Sequence, residues 1–135
     1  MSRNQTENSK IYLENLKSAI TKLAEILNEK ETDIVRDATI QRFEFTIELT
    51  WKTMKRLLKT LEVEAISPRE VMQFAYQRKW IQDESFWLNM LKDRNLVSHV
   101  YDEKTAKEIF NRIKNYLIKF QETYEKLENF LKNNT

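Results

Sequence analysis

The sequence predicts an all-α fold, an antiparallel four-helix-type bundle with one additional short helix. Its 135 residues include no glycine and a single proline, whereas sheets and hairpins usually need residues that accept a positive φ. Charged residues make up 33% of the chain and alternate with Leu, Ile, Phe and Tyr at helical spacing. This length is typical of one domain, so we expect residues 1–135 to form a single helical domain with frayed tails at 1–5 and 133–135.

Two long helices are predicted in the first half of the chain. The first runs from about Glu7 to Asn28, and one apolar stripe follows it: Leu13, Leu16, Ile20, Leu23 and Leu27. The second runs from about Asp33 to Glu62, and its main stripe consists of Ile40, Phe43, Ile47, Trp51, Met54, Leu58 and Leu61. Nearly opposite this stripe lie Ile34, Ala38, Phe45 and Leu49. Few helices remain to cover that second face, so we expect another subunit to cover it in a dimer.

Three further helices follow. In "SPRE", Ser67 is expected to be the N-cap, Pro68 the first residue of a helix that ends near Lys79, and Glu70 the partner that completes a capping box. The stretch "DESFWLNMLKDRNLVSH" predicts a fourth helix that ends near His99, with an apolar face of Phe86, Trp87, Met90 and Leu91. Asp102 is expected to cap the last helix, whose stripe is Ala106, Ile109, Ile113, Tyr116, Phe120, Tyr124, Leu127 and Leu131.

The composition excludes several classes of protein. Without cysteine there can be no disulfide or thiolate metal site, and a single histidine excludes paired-histidine metal motifs. The net charge of +2 excludes a strongly basic nucleic-acid wrapper but permits a local basic patch. No apolar run approaches the roughly 18 residues of a membrane span, and the first ten residues lack the apolar stretch of a signal peptide. We therefore expect a cytoplasmic protein.

The best candidate for chemistry is "KDRNLVSHVYDEK", residues 92–104, which contains the only histidine. An imidazole, with an unperturbed pKa of about 6.5, can accept or donate a proton near neutral pH. A guanidinium binds phosphate in a bidentate manner and is always charged. Arg94, Asn95 and His99 therefore suit phosphodiester cleavage through a ribose 2′-hydroxyl. His99 would accept the hydroxyl proton or protonate the leaving oxygen, Arg94 would stabilise the charge on phosphorus, and no metal would be required.

Plainer structural interpretations exist for these and neighbouring residues. An arginine and a histidine near a helix end are more often part of a polar helix terminus than of a catalytic site. Glu44 and Glu48 form an i,i+4 pair that we expect on a solvated surface. Trp51 lies in an apolar stripe, so it is expected in the core and not as a platform for stacking bases.

The segment "RNLVSHVY" resembles the Arg-x4-His-x-Tyr signature of the HEPN superfamily, helical proteins of prokaryotes. Three blocks resemble, in order, those of the HEPN branch called nucleotidyltransferase substrate-binding proteins: "IQRFEFTIELTWKTMKRLL", "SPREVMQFAYQRKWI" and "WLNMLKDRNLVSHVYDE". The resemblance covers about residues 33–103. It is specific because the blocks occur in the same order together with the capping box and the tryptophans.

The resemblance implies a homodimer that works with a minimal nucleotidyltransferase in a type VII-like toxin–antitoxin module. The HEPN toxin of such modules is a metal-independent endoribonuclease, and the nucleotidyltransferase silences it by adding AMP from ATP to the motif tyrosine. On this basis Arg94 and His99 would be the catalytic pair, Asn95 a supporting polar residue, and Tyr101 the AMP acceptor. Two motifs would form one composite cleft across the dimer, RNA (tRNA as the candidate) would be the substrate, and the chain itself would need no cofactor or membrane.

The same resemblance allows a second interpretation. This branch has a fold similar to the substrate-binding helical domain of antibiotic-modifying nucleotidyltransferases. The chain would then be the non-catalytic substrate- or nucleotide-binding subunit of a two-component nucleotidyltransferase. In that case Arg94, Asn95 and His99 would bind a nucleotide or an acceptor and cleave nothing.

Overall fold

The computed structural model describes residues 1–99 and 102–135, apart from the side chain of His99. This part of the chain contains five helices and no strand. They are α1 (Arg3–Leu27), α2 (Asp33–Thr60), α3 (Pro68–Gln77), α4 (Glu84–His99) and α5 (Glu103–Asn133). The predicted all-α fold, with three long and two shorter helices, is confirmed.

Four of the helices form the bundle, and the fifth packs on its outside. Helix α1 packs against α2 and α5, and α4 packs against the same two helices, so α2 and α5 meet across the core. Helix α3 contacts α2 and α4. The largest fully buried side chains come from all five helices and the loop before α4, and include Leu16, Phe43, Met54, Met72, Ile81, Trp87 and Phe120. Trp87 packs edge-to-face on Phe120, which joins α4 to α5.

Helix α1 begins at Arg3, four residues earlier than predicted, because its N-terminus is capped. The Ser2 hydroxyl accepts a hydrogen bond of 3.1 Å from the Gln5 N–H, and the Gln5 carboxamide accepts one of 2.9 Å from the Ser2 N–H. These two bonds form a capping box and satisfy N–H groups that the helix leaves without partners. Residues 1–5, which we expected to fray, therefore contain the cap and first residues of α1.

Helices α2 and α3 each end in a C-terminal motif that normally uses glycine. Glu62 and Lys79 have φ values of 61° and 62°, in the left-handed region. The N–H groups of Val63 and Trp80 bond the carbonyls five residues earlier, as in a Schellman motif. A side chain in this conformation costs roughly 1–2 kcal/mol relative to the right-handed region. Because these motifs end the helices, α2 and α3 both stop two residues before the predicted ends.

One face of α2 is lined by buried threonines, a feature that the apolar pattern did not predict. Thr46, Thr50 and Thr53 are buried, and each hydroxyl donates to the carbonyl four residues earlier at 2.6–2.7 Å. Because these hydroxyls are satisfied within the helix, α2 can contact all four other helices without leaving polar atoms unpaired on that face. Most of the predicted main stripe is also buried, but Trp51 and Leu61 are only partly so.

The predicted second apolar face of α2 is not covered by the described part of the chain. Ile34 is 82% exposed and Phe45 62% exposed, while Ala38 and Leu49 are partly buried. This exposure agrees with the expectation of a covering subunit, and the dimer itself stays a prediction. In the described residues, no helix has the length and apolarity that crossing a membrane requires.

The predicted caps of the later helices form in full at α5 and in part at α3. The Asp102 carboxylate accepts a hydrogen bond of 2.8 Å from the Thr105 N–H at the start of α5, as predicted. The Ser67 hydroxyl accepts from the Glu70 N–H at 3.2 Å. Among the described residues, the reciprocal bond from the Ser67 N–H to the Glu70 carboxylate is not formed, so only half of that capping box exists.

Candidate functional site

Helix α4 is fixed at its start and presents its polar residues near its end. The Asp83 carboxylate accepts a hydrogen bond of 3.1 Å from the Phe86 N–H and caps the first turn. Trp87 and Met90 are fully buried and anchor the middle of the helix in the core. The last two turns then carry the polar residues of the predicted motif, from Asp93 to His99.

Arg94 lies on the side of α4 that faces α2, and its guanidinium is held by two groups. Its Nη1 donates to the Glu48 carboxylate of α2. Its Nε and Nη2 donate to the side-chain oxygen of Asn95 at 3.2 and 2.8 Å. The Arg94 side chain is 20% exposed and that of Glu48 is 34% exposed, so the pair lies at the edge of the protein. Asn95, predicted as the supporting polar residue, thus contacts the guanidinium of Arg94.

A second contact joins the same faces one turn later. The Ser98 hydroxyl lies 3.2 Å from a Glu44 carboxylate oxygen and 3.0 Å from the Arg94 carbonyl. Glu44 and Glu48 were expected on a solvated surface, but they contact Ser98 and Arg94 and so belong to the site. The only sequence signal was the shared spacing of four residues in Glu44/Glu48 and Arg94/Ser98, and it becomes informative only once the two helices are known to face each other.

Asp93, the residue before Arg94, connects α4 to the other neighbouring helix, α5. It is buried and accepts hydrogen bonds of 2.8 and 2.7 Å from Nε and Nη2 of Arg112, and a further one from the Tyr116 hydroxyl. The Asp93 carboxylate raises the pKa of the Arg112 guanidinium above its ordinary value. Burial, together with Asp93, raises the pKa of the Tyr116 hydroxyl. This network could not be predicted from the sequence, because an isolated aspartate in a helix carries no sign of its partner.

The two successive residues Asp93 and Arg94 thus bind opposite neighbours of α4. Adjacent positions on a helix point about 100° apart, so one residue contacts α5 and the next contacts α2. The rotation of α4 about its axis is fixed by two charged contacts. This arrangement determines where the end of the helix, and with it the backbone of His99, lies relative to Arg94.

Two predicted residues fall wholly or partly outside the described structure. His99 is the last residue of α4, and the described structure includes its backbone but not its side chain. Tyr101, the predicted AMP acceptor, also lies outside them. After these residues, Asp102 accepts hydrogen bonds from both the N–H and the hydroxyl of Thr105. These two bonds lower the pKa of Asp102.

A cleft runs beside the site, between α4 and α5. It has a volume of about 450 Å³, and Lys92, Asp93, Arg112 and Tyr116 are among the residues that line it. Arg112 is 44% exposed, so its guanidinium can reach a ligand while Asp93 holds it. Within the described part of the chain, no three His, Cys, Asp or Glu side chains are grouped so that they could hold a metal ion. The side chains available here are suited to binding an anion.

Comparison with known proteins identifies the family of the chain. The family described as "Nucleotidyltransferase substrate binding protein like" matches residues 11–129. A protein of Haemophilus influenzae named "Probable ribonuclease HepT" is 32% identical over 108 residues, which are 73% of this chain and 74% of that protein.

Two solved structures have the same fold. A crystal structure of a Thermus thermophilus protein superposes with a TM-score of 0.77 at 31% identity, covering 83% of this chain and 98% of that one. HI0074 of Haemophilus influenzae, said to reveal the fold of a substrate-binding domain of a nucleotidyltransferase, superposes with a TM-score of 0.67 at 24% identity, covering 91% and 98%. The family match spans most of the chain and includes all of α2, α3 and α4. The chain therefore belongs to the nucleotidyltransferase substrate-binding protein-like family.

Proposed function

We propose that the protein is a metal-independent endoribonuclease that cleaves RNA with Arg94 and His99. The observation that carries this proposal is the position of Arg94, which is held at the edge of the bundle five residues before the last residue of α4. The chain is 32% identical over 108 residues to a protein named as a probable ribonuclease, which supports the same activity. Asn95 is the supporting polar residue, because its side-chain oxygen orients the guanidinium.

The proposed reaction uses the 2′-hydroxyl of the RNA as the nucleophile. His99 accepts the hydroxyl proton, or donates a proton to the 5′-oxygen that leaves. The 2′-oxygen bonds to phosphorus as the bond from phosphorus to the 5′-oxygen breaks, which gives a 2′,3′-cyclic phosphate and a 5′-hydroxyl. Arg94 stabilises the negative charge that develops on the phosphate oxygens. Each step uses a proton or a fixed positive charge, so the proposed mechanism includes no metal ion and no cofactor.

In this proposal a partner nucleotidyltransferase controls the activity. The chain is the toxin of a cytoplasmic toxin–antitoxin module, and the nucleotidyltransferase is the antitoxin. That enzyme transfers AMP from ATP to the hydroxyl of Tyr101 and releases pyrophosphate. The added phosphodiester places a negative charge and a bulky adenosine two residues after His99, where they compete with an RNA phosphate for Arg94.

We further propose that the protein is a homodimer. Ile34 and Phe45 on α2 are more than half exposed, and together with the partly buried Ala38 and Leu49 they make one side of the helix apolar. An apolar surface of several neighbouring side chains supports an interface with a partner. Phe45 lies on α2 between Glu44 and Glu48, the two acids of the site. A partner on this face would bring its own motif close to Arg94, and the two motifs would form one composite cleft.

A second candidate function is favoured by the cleft between α4 and α5. With a volume of about 450 Å³ and with Lys92 and Arg112 in its lining, it fits a small anionic ligand. The protein would then be the non-catalytic substrate- or nucleotide-binding subunit of a two-component nucleotidyltransferase. Membership in a family of nucleotidyltransferase substrate-binding-like proteins supports this alternative.

Intact mass measurement separates the two candidates. The protein is incubated with its cognate nucleotidyltransferase and ATP, with Tyr101→Phe as the control. Mass added in steps of one AMP, absent from the control, supports the silenced ribonuclease. A stable complex without added mass supports the binding subunit.

Cleavage of RNA, with tRNA as the first substrate, then tests the chemistry. The unmodified protein should leave 2′,3′-cyclic phosphate ends. His99→Ala should lose roughly 10²–10⁴-fold in rate while keeping its helical content and Tm. Unchanged cleavage by a folded His99→Ala variant would exclude His99 as a catalytic residue.

A further inference from the structure

A groove between α1 and α2 carries a concentration of positive charge that the proposed cleavage step does not use. We call it the α2 basic groove; its volume is about 340 Å³, and it is lined by Tyr12, Trp51, Lys52, Lys55, Arg56 and Lys59. Four of these six residues are cations and none is an acid. The whole chain has a net charge of only +2, so this groove is a local feature.

Three of the four cations have no acidic partner in the described structure, although Arg56 donates a hydrogen bond of 3.5 Å to the Tyr12 hydroxyl. Lys55 and Lys59 are exposed, and among the described residues neither they nor Arg56 takes part in an ion pair. Lys52 has one acidic partner, Glu48, at 3.8 Å. Glu64 lines a neighbouring cavity together with Lys55 and Lys59 but forms no ion pair with either in the described structure. Within the described structure, the positive charge of Lys55, Arg56 and Lys59 is therefore not neutralised by an ion pair.

The groove also presents flat aromatic surfaces beside its cations. The Arg56 guanidinium lies 5.1 Å from the centre of the Tyr12 ring, and Lys52 lies 5.8 Å from that of Trp51. Trp51, expected in the core, is only partly buried and forms one wall. Cations interleaved with aromatic rings are typical of surfaces that bind single-stranded nucleic acid, in which phosphates alternate with bases. An acidic protein surface would use the cations but not the rings.

Glu48 connects the groove to the candidate site. Glu48 accepts a hydrogen bond from Arg94 through one oxygen and contacts Lys52 through the other. From Glu48 to Lys59 the helix rises over eleven residues, a distance of about 16 Å. The cations repeat along one face at intervals of three and four residues. A strand whose phosphate lies at Arg94 could therefore extend along α2 and place more than one further phosphate on these cations.

We propose that the α2 basic groove binds the single-stranded RNA that extends from the cleavage site. The proposal rests on the ribonuclease function proposed above. Lys55, Arg56 and Lys59 bind backbone phosphates, and Tyr12 and Trp51 provide apolar contact for the bases. The groove thus favours unpaired RNA over duplex, because bases can reach the rings only when they are unpaired.

Binding of an RNA that cannot be cleaved tests the groove separately from catalysis. The probe is a fluorescein-labelled 2′-O-methyl oligonucleotide, whose blocked 2′-oxygen cannot attack phosphorus. Lys55→Glu/Lys59→Glu should weaken its binding about ten-fold or more. Lys10→Glu/Lys17→Glu is the matched control, because it makes the same charge change at two exposed lysines of α1. It should change binding less than about three-fold.

The salt dependence gives a second readout. Each phosphate contact to a single strand contributes about 0.7 to the slope of log K against log salt, so Lys55→Gln/Lys59→Gln should lower that slope by about 1.4. Equal weakening by both reversal pairs would overturn the proposal, as would unchanged RNA binding. If Lys55→Glu/Lys59→Glu lost binding to the nucleotidyltransferase but kept RNA binding, the groove would be assigned to the protein partner. That result would also overturn the proposal.

The outcomes also distinguish the groove from the ribonuclease activity. Groove-dependent binding without cleavage of ordinary RNA by the unmodified protein would support the groove and contradict the catalytic assignment. Cleavage with normal KM by Lys55→Glu/Lys59→Glu would contradict the groove and leave the catalytic assignment in place.

Discussion

The guanidinium of Arg94 on α4 is bound to the carboxylate of Glu48 on α2, so the charge of the motif arginine is partly neutralised before any ligand arrives. Asn95 accepts hydrogen bonds from Nε and Nη2, which leaves one N–H on each terminal nitrogen for a ligand. A phosphate that binds Arg94 must therefore approach a carboxylate as well. Glu48 orients the arginine and at the same time opposes the binding of the anion.

The substitution Glu48→Gln should strengthen the binding of RNA. It keeps the shape of the side chain and a hydrogen-bond acceptor for Arg94 but removes the negative charge. Partly exposed ion pairs contribute roughly 0.2–1 kcal/mol, so affinity for a 2′-O-methyl oligonucleotide should rise by up to about five-fold. Fluorescence anisotropy measures this change. Glu44→Gln is the control with a smaller effect, because Glu44 lies one turn away and its hydrogen bond in the described structure is with Ser98, not with Arg94. Weaker binding by Glu48→Gln would show that orientation outweighs charge.

Removing the carboxylate of Asp93 should destabilise the fold more than removing the charge of its partner Arg112. Asp93→Asn leaves the Tyr116 hydroxyl and the Arg112 guanidinium without their ionised acceptor, at a cost of roughly 2 kcal/mol. Arg112→Gln should cost less, because the 44% exposed guanidinium is partly hydrated in any case. Urea unfolding of both variants and of the double variant gives the coupling energy. Costs that simply add would contradict a direct interaction between the two residues.

Cleavage should persist when divalent metal ions are removed. The proposed reaction requires a proton transfer by His99 and a positive charge from Arg94, and neither depends on a metal. The assay uses an unstructured RNA oligonucleotide in excess EDTA, so that loss of RNA folding cannot affect the rate. Activity that disappears with EDTA and returns with Mg²⁺ would contradict the mechanism. Arg94→Lys, which keeps the charge but loses the bidentate geometry, should be impaired in both conditions.

Much of the fold could be predicted because apolar residues repeat with the period of a helix. The stripe of α5 illustrates this, since Ile109, Ile113, Phe120 and Leu127 are buried as the spacing requires. The helix ends were less accurate because they depend on local caps. Ser2 extends α1 through a capping box, and the left-handed residue Glu62 ends α2 where the sequence offers no glycine.

The site was predicted only in part, because its contacts are made between helices. Arg94 and Asn95 are neighbours in sequence, and the motif named both as site residues. Glu48 is 46 residues from Arg94. Asp93 and Arg112 are 19 residues apart, on different helices. Which residues pair between helices depends on how each helix is rotated about its own axis in the bundle. The apolar periodicity shows which face of a helix points to the core, but it does not fix the rotation more finely than that.

Replacing Phe45 with glutamate should dissociate the proposed dimer. Phe45 is 62% exposed on the face of α2 that the described chain leaves uncovered, and burying a carboxylate there would be unfavourable. Sedimentation analysis should show a dimer for the unmodified protein and a monomer with unchanged helical content for Phe45→Glu. Ile66→Glu is the control, because Ile66 is 83% exposed but lies in the loop before α3. A monomeric unmodified protein, or equal dissociation by both variants, would contradict this interface.

The cap that follows the motif should make the start of α5 sensitive to acid. Hydrogen bonds from the N–H and the hydroxyl of Thr105 lower the pKa of Asp102 below its ordinary value of 3.8. The ionised carboxylate therefore contributes its full stabilisation above about pH 3.8, and this contribution is lost as the pH falls further through the pKa of the folded state. Asparagine keeps the hydrogen-bond acceptor but carries no charge, so Asp102→Asn should lower Tm at pH 7, and the difference in Tm from the unmodified protein should shrink at pH 3.

Thr105→Val, which removes one of the two hydrogen-bond donors to Asp102, should reduce the same pH dependence of Tm. A Tm difference between the unmodified protein and Asp102→Asn that is equal at pH 7 and pH 3 would show that the charge of Asp102 does not stabilise the helix that begins directly after the motif.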